Sequence, residues 1–126
     1  LPVPDAPTET PVLGPSATAT MPVVPENPTM EQADEAFFNG DTVRAVAMYE
    51  KLLANQPAAG PRVHQHLAKC YNNLGNTQKT RTHLHEAIAG YQAIVQSNPK
   101  NEAAQDELKS CQHALENLNV RTGAAP

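Results

Sequence analysis

From residue 29 to residue 118 the apolar residues of this chain recur at intervals of three and four, and no segment alternates with period two. That spacing turns one face of a helix inward, so the pattern predicts an all-α protein. A first helix opens at "TMEQ", where Thr29 is placed as N-cap with Gln32 three residues on, and Ala33, Ala36 and Phe37 form the apolar face. Gly40 interrupts it, and Asp41 is positioned to cap a second helix carrying Ala45, Tyr49, Leu52 and Leu53, stopped before Pro57. A third helix starts near Pro61 with Val63, Leu67, Tyr71 and Leu74 on its stripe. The fourth covers about Thr77 to Gln96 and turns Leu84, Ala87, Ile88, Tyr91, Ile94 and Val95 inward. After "NPKN" a fifth presents Ala104, Leu108, Cys111, Leu115 and Leu118.

Residues 1–28, "LPVPDAPTETPVLGPSATATMPVVPENP", lack this periodicity and hold eight of the twelve prolines. Proline fixes φ and removes a backbone donor, so this stretch is expected to be a disordered, extended spacer. It has neither the basic start of a signal peptide nor the apolar run of a membrane span. A chain opening on Leu1 reads as processed or excised, and the spacer would suit a position after an export signal or a membrane anchor. That favours a periplasmic or other extracytoplasmic setting over a cytoplasmic one. The expected organisation is a spacer at 1–28, a helical domain at 29–120 and a disordered tail at 121–126.

Composition narrows the function. With two Phe, three Tyr and no Trp among 126 residues, the core is aliphatic and leaves little room for an enclosed active site. The net charge of −4 conceals an uneven layout: residues 1–43 carry seven acids and no base, and residues 44–126 carry nine bases against six acids. The two ends should attract each other. No basic cluster interleaved with aromatic residues is present, so no nucleic-acid partner is expected. A phosphate loop, a nucleophile elbow and a spaced acid–base pair are all missing, so no enzyme is expected either.

The helical stretches repeat. "FFNGDTVRAVAMYEKLLANQP" and "YNNLGNTQKTRTHLHEAIAGY" each set a Gly and a capping residue between two amphipathic helices, and Gly40 and Gly75 stand 35 residues apart. The pattern resembles the tetratricopeptide repeat, a helix-turn-helix of about 34 residues. In the second unit His64, Leu67, Ala68 and Tyr71 fill the first four signature slots, and Thr80 and Leu84 the next two. In the first, Thr29, Gln32, Ala33 and Ala36 are followed in register by Ala45, Tyr49 and Pro57. The second unit closes at Pro99, seven residues late, which is two helical turns to within about 20° and keeps the same face inward. The fifth helix repeats Leu67, Cys70 and Leu74 as Leu108, Cys111 and Leu115 and reads as a degenerate cap.

The resemblance implies a right-handed solenoid of two helix pairs and a capping helix. It also implies an adaptor whose first helices line a concave groove for an extended peptide or helix of another protein. The register puts Met30, Asp34, Phe37 and Phe38 in that groove from the first unit. From the second it puts Arg62, Gln65, His66, Lys69, Asn72 and Asn73 there. Adjacent Phe37 and Phe38 cannot both face the core, and the two Asn amides suit a peptide backbone. Family members that clamp a C-terminal carboxylate use basic and Asn side chains where this chain has Met30, Asp34 and His66, and Asp34 would repel such a group. No cofactor is expected. The alternative is a metal-binding or redox-sensitive helical protein, with His66 and Cys70 on one face joined by Cys111 and His113, although the spacing fits no zinc signature. His64 and His66 point to opposite sides of their helix, and Cys70 and Cys111 read first as small buried apolar residues.

Overall fold

The structure, a computed structural model, describes residues 24–123; the expected spacer up to residue 23 and the tail from 124 lie outside the described residues. The helices are α1 (Met30–Phe38), α2 (Thr42–Asn55), α3 (Gly60–Asn73), α4 (Thr77–Ser97) and α5 (Glu102–Thr122). A 3₁₀ turn, Pro57–Ala59, joins α2 to α3. No strand occurs among the described residues, and the protein is all-α. None of these helices is long and apolar enough to cross a membrane. Each packs on the next in sequence.

Local chemistry sets the boundaries. Thr29 caps α1 reciprocally: its hydroxyl accepts from the Gln32 amide at 3.1 Å while the Gln32 side chain accepts from the Thr29 amide at 2.9 Å. Asn76 and Asn101 cap α4 and α5 by accepting from Lys79 N and Ala104 N. Asp41 stands before α2 as expected but makes no capping hydrogen bond. Its backbone does the work of the turn instead. The Asp41 amide donates to Ala36 O at 2.9 Å and the Gly40 amide to Phe37 O at 3.0 Å, with Gly40 at φ 86°. Thirty-five residues on, the Asn76 amide donates to Tyr71 O at 2.9 Å and the Gly75 amide to Asn72 O at 3.1 Å, with Gly75 at φ 78°. Both are Schellman turns, which need a left-handed residue after the helix, and Gly takes that conformation without a Cβ clash.

The core forms two clusters that meet at α3. Ala33, Ala45, Tyr49, Leu52, Val63 and Leu67 lie in the first, between α1, α2 and α3. Ala68, Leu84, Ala87, Tyr91, Cys111 and Leu118 lie in the second, between α3, α4 and α5. Neighbouring residues Leu67 and Ala68 thus serve opposite clusters, because α3 is covered on two sides.

Several expectations change, among them the inward place of Leu74, which follows the end of α3 and is exposed. Residues 24–28, assigned to the spacer, dock on the helices: Val24 packs on the first cluster, and Pro28 is buried. Asn55 Nδ2 donates to Glu26 O at 3.3 Å and to Asn27 Oδ1 at 3.2 Å. Arg121 and Thr122, assigned to the tail, continue α5 up to Gly123, whose φ of 73° ends it. Ile94 is 36% exposed, since it lies about 60° round the helix from Tyr91 while Val95 stays within about 40° and packs on the core.

Candidate functional site

Helices α1 and α3, and likewise α3 and α5, meet through polar side chains. At the α1–α3 seam the buried Tyr49 ring brings its hydroxyl to Asp34, which accepts its hydrogen bond. His66 stacks on the same ring at a centroid distance of 5.2 Å and an interplanar angle of 6°, with Nδ1 3.9 Å from Asp34 Oδ1. Burial pushes the Tyr49 hydroxyl well above its ordinary range, and the hydrogen bond and charge of Asp34 push it further. Burial also lowers the basicity of His66 against the pull of Asp34, so the imidazole is neutral at pH 7 and the contact is not an ion pair.

At the α3–α5 seam Gln65 is held at both ends of its amide. Its Nε2 donates to Glu107 Oε1 at 2.8 Å, and its Oε1 accepts from the Tyr91 hydroxyl at 2.9 Å. Burial, with Glu107 adding to it, pushes Tyr91 up to about 12, so it remains a donor at neutral pH. Further along, Arg121 Nη2 donates to Asn72 Oδ1 at 3.2 Å. Between these two bridges α3 and α5 leave a half-open groove of about 120 Å³. Its lining includes Lys69 and Ser110 on the rim and Ala68, Ala114 and Leu118 within.

The ten residues assigned to the groove from sequence divide accordingly. Gln65, Lys69 and Asn72 line it. Asp34 and His66 meet at the neighbouring seam. Arg62 and Asn73 are exposed on α3 without lining the groove. Met30 and Phe37 are half-buried and pack partly against the first core cluster, because α1 is short and its few apolar residues are drawn inward. Phe38 leaves the core side, as adjacency requires, and is 81% exposed with its ring edge-on to Phe37 at 5.7 Å. The residues missed lie on α5: Glu107, Ser110, Ala114 and Arg121. The offset of 41 that relates Cys70 to Cys111 carries His66, Lys69 and Asn73 onto the first three of these, so the signal was present. Nothing in the repeat pointed to Arg121.

The His and Cys residues do not gather as a metal set. Cys70 is a free thiol in the first cluster and Cys111 a free thiol in the second, while His113 is exposed. Burial pushes the two thiols up to about 12 and about 11, far from thiolate character. Among the described residues no group of three or more His, Cys, Asp or Glu could hold a metal ion. His64, on the other side of α3 from His66, instead meets His83 of α4, with the two Nδ1 atoms 2.9 Å apart.

No protein family, curated protein or solved structure matches this chain. What the fold and the site define is a small all-helical protein whose odd-numbered helices present polar side chains to one another, with a groove between α3 and α5.

Proposed function

We propose that this protein is an adaptor that holds an extended peptide or a helix of another protein across the face formed by α1, α3 and α5. In this reading α1–α2 and α3–α4 are two tetratricopeptide-like pairs of a right-handed solenoid, and α5 caps the stack. The observation that carries it is the groove between α3 and α5: two helices bridged by side chains at two points, with Lys69 and Ser110 on the rim between the bridges. The recurrence of one Schellman turn at Gly40 and Gly75 supports the pairing into units. A peptide laid across such a face meets amide donors and acceptors, the groups that match its own backbone.

The test compares two double variants in partner capture by the intact chain. Lys69→Glu with Asn73→Ala alters the face, and Ala89→Glu with Gln96→Ala alters exposed residues of α4 away from its buried stripe. Surface changes of this kind move stability by less than about 0.5 kcal/mol, so helicity and melting should persist in both. Capture should fall about tenfold for the first pair only. Capture lost through the α4 pair and kept through the α3 pair would place binding elsewhere and end this reading.

A further inference from the structure

The groove between α3 and α5 exists because Ala68 and Ala114, one from each helix, leave a dent that larger side chains would fill. Leu84, Cys111 and Leu118 make its floor apolar. Burial keeps the Cys111 thiol protonated, so the floor carries no charge. The space, about 120 Å³, compares with the roughly 150 Å³ engineered cavity that takes up benzene, and so suits one aliphatic side chain.

The rim has a sign. Lys69 and Arg121 are the charged residues lining the groove, and neither forms an ion pair among the described residues; Arg121 is held by a neutral amide. Glu107, at one end, is engaged by Gln65 and does not line the groove. In a chain of net charge −4 the groove is therefore a local cationic site that attracts carboxylates and repels basic segments. Neighbouring carboxylate and aliphatic groups on one ligand would satisfy rim and floor together.

Building on the adaptor reading above, we propose that this groove takes an acidic segment of the partner, with an aliphatic side chain seated between Ala68 and Ala114 and an adjacent Asp or Glu against Lys69 and Arg121. A random peptide library displayed on phage, selected against the intact chain, tests it without the natural partner in hand. The winning peptides are then synthesised and their affinity measured by fluorescence anisotropy. Winners should carry Asp or Glu beside Leu, Ile or Val, and bind more weakly as salt rises. Lys69→Glu with Arg121→Glu should weaken them about tenfold. Ala114→Met, at an exposed position where the longer side chain reaches into the dent without disturbing the core, should do the same while circular dichroism is unchanged. Winners that are basic or uncharged, or acidic winners indifferent to both variants, overturn this chemistry but leave a peptide-holding protein in place. A folded chain that enriches no peptide over an unrelated control protein overturns both the groove chemistry and the adaptor reading.

Discussion

His64 and His83 meet nitrogen to nitrogen in a half-buried layer between α3 and α4. Tyr71 stacks on His83 at 5.5 Å and donates to Glu50 Oε2 at 2.9 Å, and Lys79 Nζ lies 5.1 Å from the Tyr71 ring centre. At 2.9 Å one imidazole must donate and the other accept, so the pair holds one proton between its facing atoms. Burial lowers the basicity of both rings; His64 and Lys79 lower His83 further, and Glu50 and Glu86 oppose. His66 is lowered for the same first reason. A histidine whose folded value lies below its unfolded one binds protons more readily unfolded, so its full contribution to stability is present above about 6.5 and is lost as pH falls through the folded value. The melting temperature should therefore drop between about pH 8 and about pH 5.5. In His83→Gln, which retains a hydrogen-bonding group without the titration, that drop should shrink; in His85→Gln, at an exposed position, it should not. A pH profile the same in both variants would show that the pair does not govern acid stability.

At the scale of elements, α4 crosses closely over the start of α3. Gly90 lies in the middle of α4, where sequence alone marks a weak helix position. Its reason is tertiary: a Cβ there would sit 2.3 Å from Pro61 Cγ and 2.9 Å from Pro61 Cβ. Alanine would raise helix propensity by about 1 kcal/mol. Overpacking against a rigid ring at a helix start costs about 1–3 kcal/mol. Gly90→Ala is thus expected to lower stability by about 1 kcal/mol in urea unfolding, and a gain in stability would mean that α3 can shift away freely.

For the whole molecule, residues 24–28 act as a strap. Besides the Asn55 contacts, Lys51 Nζ donates to Pro25 O at 3.5 Å, so α2 holds three successive residues of this segment. Two truncations separate it from what precedes it, one beginning at Val24 and one at Thr29, which keeps the α1 cap. The second should be less stable than the first by about 1–2 kcal/mol, from the exposed Val24 site and the lost hydrogen bonds. Equal melting of the two would show that the strap adds nothing.

Much of this fold was written locally. Thr29 with Gln32, Asn76 and Asn101 at helix starts, Gly40 and Gly75 at left-handed turns, and aliphatic spacing on α2, α3 and α4 depend on neighbours within a turn or two, so the five helices and their order could be read from the chain. The same periodicity put Tyr49, Leu67, Cys70 and Cys111 indoors, where they are. Which polar residues are free to bind was not legible, because it depends on what a helix far off in sequence presents. Gln65 is spent on Tyr91 and Glu107, Asn72 is met by Arg121, and Met30 and Phe37 are drawn to the core, each through a partner that spacing along its own helix cannot report. The pairing of His64 with His83 and the need for Gly90 belong to the same class, since both come from the distance at which α3 and α4 cross. Sequence determined the helices and their inward faces because those are set by local hydrogen bonding and apolar period. The groove, its charge and its neighbours were decided only when packing set non-local side chains against one another.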